Sequence, residues 1–129
     1  QGTAGWSAVI SVTLNRVKDK RFPNTICEVV KQGPTRESWK KNGTYYPIRH
    51  RCQFSWYCDG KKDVVHKKDK KIYKEIYNLS YVSMIPGITI LDITDGATHY
   101  HADYVSPSWA KTKTKTIEIE DHIFYRWEQ

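Results

Sequence analysis

The amino-acid sequence predicts one α+β domain, with helices in the N-terminal two thirds and a small antiparallel sheet toward the C-terminus. Three observations point there. Apolar residues recur at helical spacing in residues 3–17 and again at Ile72, Ile76 and Leu79. Residues 111–120 (Lys-Thr-Lys-Thr-Lys-Thr-Ile-Glu-Ile-Glu) alternate as one solvated strand face does. Helical segments also precede the strands, which favours segregated layers. A length of 129 residues suits a single domain, and residues 1–129 are read as one.

The elements follow in order. In residues 3–17, Ala4, Ala8, Val9, Val12 and Leu14 supply a helical stripe, with Gly2 and Thr3 ahead of it. Residues 18–23 form a charged turn closed by Pro23. Thr25-Ile26-Cys27-Glu28 reads as a capping box, in which hydroxyl and carboxylate satisfy the free amides of a helix start. Ile26, Val29 and Val30 are that helix's apolar stripe, and Gly33-Pro34 stops it. Residues 35–51 read as a long polar loop, and residues 53–60 as a dense aromatic segment ending in an Asp-Gly turn. Residues 63–84 form the clearest helix, with lysines opposite its apolar stripe and Pro86-Gly87 beyond. Residues 92–96 make a turn, 97–105 alternate like a strand, and 122–127 close with an aromatic run.

Lys and Arg number 21 against 14 Asp and Glu, a net charge of +7, and aromatics make up 13% of residues. A disordered segment would be poorer in aromatics. The longest mostly apolar stretch, 81–91, is broken by Ser83, Pro86 and Gly87 and is too short to cross a bilayer. The opening Gln1-Gly2-Thr3 shows no secretory leader. A basic surface rich in Trp and Tyr suits an extended anionic polymer, and nucleic acid and wall glycan both fit. No nucleic-acid recognition motif appears, so that partner is not expected. The cysteines are Cys27, Cys52 and Cys58. An odd count argues against a disulfide scaffold, although Cys52 and Cys58 could pair across a turn, and no C-x-x-C marks a zinc ribbon.

Candidate chemistry can be weighed group by group. His99 and His101, two apart on a strand, point to one face, and with His122 or Asp103 could make a three-ligand zinc site. The serines lack a nucleophile elbow, and no signature pairs a cysteine with a histidine. Glycosidic cleavage needs a carboxylic acid in a partly apolar setting. Glu28 serves as a cap, Glu75 sits on a charged helix, Glu118 and Glu120 alternate on a strand, and Glu37 and Glu128 have polar surroundings. Asp59 and Asp92 stand at turns beside aromatic segments, where Asp-Gly is usually turn chemistry. None is a convincing general acid. Residues 53–59 and 99–109 mix amide, hydroxyl and imidazole groups with flat rings, as saccharide binding requires or as core rings exposing polar edges would.

The ordered blocks carry a resemblance. Ala8-Val9, Val12-Thr13-Leu14-Asn15-Arg16-Val17 and Arg21-Phe22-Pro23-Asn24-Thr25-Ile26-Cys27, then Gln53-Phe54-Ser55-Trp56 with Asp59-Gly60, resemble the cell wall hydrolase family typified by the spore-cortex-lytic enzyme SleB. Gly96-Ala97-Thr98-His99-Tyr100-His101-Ala102, Pro107-Ser108-Trp109-Ala110 and His122-Ile123-Phe124-Tyr125 resemble its C-terminal motifs. The match runs almost end to end. It implies one catalytic domain with a lysozyme-related fold that cleaves peptidoglycan, as a lytic transglycosylase cutting between N-acetylmuramic acid and N-acetylglucosamine with a 1,6-anhydro product. Bacterial and phage members imply action on the bacterial wall by a secreted, periplasmic or phage-delivered enzyme, with glycan strands as partner and no membrane insertion, metal or cofactor.

By this resemblance the substrate-binding set is Gln53, Ser55, Trp56, Asp59, His99, Tyr100, His101, Tyr104 and Trp109, with His122 and Tyr125 bracing the floor. The family opens with Glu-Ala-Arg-Gly-Glu, three residues, then a glycine matching Gly5, so Gln1 occupies the second Glu position and the first falls upstream. An amide cannot donate the proton, and the acid is expected to be that upstream Glu. Residues 35–51 exceed the corresponding stretch of the spore enzymes. The rival readings are a zinc N-acetylmuramoyl-L-alanine amidase using His99, His101 and His122, and a wall-binding virion module whose catalysis has decayed.

Overall fold

A computed structural model describes residues 2–62, 64–88 and 90–129. The first helix, α1, spans Thr3–Lys18, and α2 spans Ile26–Lys31. Strands β1 (Thr35–Glu37) and β2 (Tyr45–Pro47) follow, then a 3-10 turn at Ser55–Cys58. A second 3-10 turn, Lys67–Asp69, leads into α3, Lys70–Ser83. The C-terminal third holds β3 (His99–Ala102), a 3-10 turn at Ser108–Thr112, β4 (Thr114–Ile119) and β5 (His122–Arg126). The segregated α+β layout predicted from the sequence is the one observed.

Each end of α1 is matched to the dipole by a different device. Its last turn carries Arg16 and Lys18, cations where the dipole is negative. Its first turn holds no acidic residue and Gly2 offers no side-chain cap. Both carboxylate oxygens of Glu120, in the turn between β4 and β5, instead accept the Gly2 N–H at 2.9 and 3.1 Å. In α2, the Thr25 hydroxyl accepts the Glu28 N–H at 3.2 Å, the hydroxyl half of the predicted box.

Two expectations need correction. Residues 35–51 are not a plain loop, because β1 and β2 pair antiparallel with Arg36 opposite Tyr46. Glu37 closes the hairpin by accepting the Gly43 N–H at 2.8 Å. No residue of these strands is fully buried, so no apolar alternation announced them. The helix expected over 63–84 begins later, at Lys70, and Asp63 lies outside the described residues. No α3 residue is fully buried; the helix packs on α1 with its Ile76 and Leu79 side half covered. Cys52 and Cys58 form a disulfide, which leaves Cys27 as an exposed thiol.

The C-terminal sheet runs β3-β5-β4, antiparallel throughout. A register shift between Lys115 and Ile117 interrupts the alternation seen in the sequence. One sheet face, through Tyr100 and Phe124, meets Ala8 and Val12 of α1, Val29 of α2, Phe54 and Ala97 to make the core. Phe54 and Phe124 are fully buried, and each such side chain contributes about 1.5–3 kcal/mol of transfer free energy.

Candidate active site

The site grows from the C-terminal turn of α1. Arg16 is only 5% exposed and is satisfied from two directions. Its Nε donates to the Thr98 carbonyl at 2.6 Å and its Nη2 to the Gln53 Oε1 at 3.0 Å. Its guanidinium carbon lies 4.5 Å from the Phe22 ring centre. Burial lowers its pKa to about 10, which leaves it charged at neutral pH. Gln53 passes the connection on, donating from Nε2 to the Tyr100 carbonyl at 2.8 Å. The Phe54 and Tyr100 rings meet at 6.1 Å. The two aromatic blocks recognised in the sequence, 53–59 and 99–109, therefore adjoin, with a buried arginine of α1 as the joint.

The neighbouring Asn15 anchors the approach to β3. Its Nδ2 donates to Asp92 at 2.8 Å and to the Ala97 carbonyl at 2.9 Å. Asp92 also accepts from the Thr94 hydroxyl and N–H and from the Gly96 N–H. Burial pushes the Asp92 carboxyl up, but these hydrogen bonds outweigh it and hold the group below the usual carboxylate range. Asp92 is thus a loop organiser that stays ionised, rather than the acid its place beside an aromatic segment suggested.

Strand alternation sorts the remaining candidates onto two faces. His99 and His101 share a face with Tyr125, which is paired with His99. Trp109 packs across both histidines, its ring 5.2 Å from His99 and 5.6 Å from His101. His101 Nδ1 lies 2.7 Å from the Ala102 carbonyl, which can only accept, so that nitrogen carries the proton. Its Nε2 then accepts the Tyr125 hydroxyl at 2.9 Å, with the two rings stacked. His99 is enclosed by Phe22, Trp109 and Trp127. Burial, reinforced by Arg16, Lys113 and Arg21, lowers its pKa to about 4 and keeps it neutral.

Tyr100 and His122 lie on the opposite, core-facing side, their rings 5.5 Å apart. Tyr100 is 9% exposed and burial raises its hydroxyl pKa to about 12, so it enters the site as a packed ring. Burial lowers the His122 pKa, and the nearby Asp121, Asp103 and Glu120 carboxylates oppose that shift. With His122 across the sheet from His99 and His101, the three-histidine set of the amidase reading does not converge. Ser55 and Trp56 are exposed on the 3-10 turn beside Phe54, and Tyr104 stands almost free in solvent. Asp59 accepts the Lys61 N–H at 2.9 Å as a turn residue. Gln1 lies outside the described residues.

Arg16, Asn15, Phe22, Trp127 and Glu120 were not singled out as site residues from the sequence. For Arg16 a usable signal existed, namely a cation on the otherwise small and apolar side of α1 that holds Ala8 and Val12. For Glu120 none did, because its partner is 118 residues away.

An N-terminal helix set against a small antiparallel sheet, with motif residues on both faces of that sheet, defines a lysozyme-like α+β domain. The family model described as Cell Wall Hydrolase matches residues 1–125, and the chain belongs to that family. Among solved structures it is similar to the catalytic domain of the germination-specific lytic transglycosylase SleB from Bacillus anthracis. That match has 25% identity and a TM-score of 0.58, covering 95% of this chain and 78% of that one. The SleB catalytic domain from Bacillus cereus shares the fold at 24% identity and a TM-score of 0.53, over 95% of this chain and 74% of that one. No curated protein sequence matches the chain.

Proposed function

We propose that this cell wall hydrolase is a peptidoglycan lytic transglycosylase. The reading rests on the family match over residues 1–125 and on the sheet lying along α1, tied at one end by Arg16 to the Thr98 carbonyl and at the other by Glu120 to Gly2. In this reading the acid stands ahead of Gly2, at the head of α1, and Glu120 holds that head beside the sheet. One carboxyl group protonates the oxygen bridging N-acetylmuramic acid and N-acetylglucosamine. The resulting carboxylate takes the proton of the muramoyl C6 hydroxyl as its oxygen attacks C1, closing a 1,6-anhydro ring and returning the acid. Such a cycle needs one acid/base rather than a flanking pair of carboxylates.

The other residues position the strand. Trp56, Tyr104 and Trp109 offer ring faces to sugars, and Ser55 offers a hydroxyl. His101 and Tyr125 brace the floor through their shared hydrogen bond. Gln53 aligns the blocks rather than touching sugar, since both ends of its amide are engaged. His99 packs on the face that carries Trp109, Tyr100 and His122 pack on the core-facing side, and Asp59 holds its turn. The site of action is the bacterial wall, reached by secretion, in the periplasm or by phage delivery. No helix among the described residues is long and apolar enough to cross a membrane.

Digestion of purified peptidoglycan followed by mass analysis of the muropeptides tests the reading. Transglycosylation leaves 1,6-anhydro ends, hydrolysis leaves reducing ends, and an amidase frees stem peptides. Either of the last two outcomes without anhydro ends defeats the proposal.

A further inference from the structure

The β1–β2 hairpin folds back against the 3-10 turn carrying Ser55 and Trp56, and a cavity of about 360 Å³, broadly open to solvent, lies between them. It is lined by Tyr46, Pro47, Arg49, Tyr57, Cys58 and Gly60. Its one charged side chain, Arg49, is held in place. Arg49 Nε donates to the Asp59 carbonyl at 3.1 Å, which fixes one edge of the guanidinium. The group lies on Gly60, where a β-carbon would come within 2.6 Å of Nη2 and 2.7 Å of Nε. Gly60 also has φ +78°, a conformation glycine tolerates best. The Cys52–Cys58 disulfide and the His50 N–H to Cys58 carbonyl bond (2.9 Å) tie the two walls together.

Among the described residues no carboxylate forms an ion pair with Arg49. Residues 35–51 carry five Lys or Arg against one Glu, so the surroundings are electropositive. A guanidinium with one edge anchored, and with no acceptor on its Nη groups among the described residues, is preorganised for an oxyanion, and a planar carboxylate matches its fork. The tyrosine rings add flat apolar walls beside it.

We propose that this cavity is a subsite for a stem-peptide carboxylate of peptidoglycan, with Arg49 as the residue that reads it. The inference rests on the wall-polymer reading above and deepens it. Tyr57 and Cys58 share a single 3-10 turn with Ser55 and Trp56 and also line this cavity, so the cavity adjoins the ring offered to a muramoyl unit. The subsite makes the protein select strands that still carry peptides.

The test is titration of the full chain with a soluble disaccharide-tetrapeptide and with the same disaccharide after the peptide is removed, followed by calorimetry or NMR. The readout is the ratio of the two affinities. Wild type should favour the peptide-bearing ligand about tenfold, and Arg49→Gln should bring the ratio close to one. Arg49→Lys should fall between them, and Gly60→Ala, which displaces the guanidinium without removing it, should also lower the ratio. A ratio unchanged in Arg49→Gln overturns the proposal, as does equal weakening of both ligands or stronger competition by inorganic phosphate than by the peptide alone. Absence of anhydro ends in the digest would sink the transglycosylase reading while leaving this ratio measurable, so the two failures are distinct.

Discussion

Glu120 and Gly2 are 118 residues apart, yet both carboxylate oxygens of the first accept the backbone N–H of the second. A tight turn of the C-terminal sheet thereby supplies the negative charge that the first turn of α1 lacks. The bond fixes where α1 begins relative to the sheet.

Glu120→Gln keeps an acceptor but removes the charge, and should cost about 0.5–1 kcal/mol in urea unfolding. Glu120→Ala should cost more and should also reduce wall digestion by loosening the helix head. Unchanged stability in both variants would show that the contact has no energetic role.

Arg16→Met retains the apolar stem against Phe22 but leaves the Thr98 carbonyl and the Gln53 amide oxygen without their donor. A loss of about 2–4 kcal/mol is expected, because buried acceptors pay their full desolvation cost. Arg16→Lys should rescue little, since an ammonium cannot span two acceptors set for a fork. Chemical denaturation, together with the near-ultraviolet signal of the aromatic blocks, checks both.

His99 makes stability depend on pH in a defined window. Its pKa is about 4 in the folded chain against an ordinary value of 6.5, so between these limits the unfolded chain takes up a proton that the native chain refuses. Its contribution is complete above about pH 6.5, declines as pH falls through the window, and is gone below about 4. His99→Phe should flatten the fall of Tm between pH 6.5 and 4 relative to wild type. Parallel curves would contradict the assignment.

The Cys52–Cys58 bond closes a loop of sequence separation 6 around Phe54. Reduction, or the Cys52→Ser and Cys58→Ser pair, should lower stability by about 2 kcal/mol in the loop-entropy account. Cys27→Ser, at an exposed thiol, should leave the urea midpoint in place.

What the sequence made legible follows from what each element buries. Ala8 and Val12 face the core, so their spacing announced α1, and the alternation around Tyr100 announced β3, whereas β5 showed only as an aromatic run although Phe124 is buried. The β1–β2 hairpin buries no side chain fully and left no such trace. The motif blocks identified the site's two halves, whereas their joint at Arg16 and Gln53 was hidden because hydrogen bonds across 37 positions leave no local period. Asp92 was noticed for its aromatic neighbours, but its work depends on Asn15, 77 residues earlier.

Helix α3 contributes no fully buried side chain, while the sheet and α1 share the core. Its amides should therefore exchange with deuterium through a partial opening that leaves the rest native, and those of β3 and β5 only when the whole domain unfolds. The chain accordingly behaves as a stiff catalytic frame with one loosely tethered segment, and proteolytic nicking under native conditions should begin in residues 64–88.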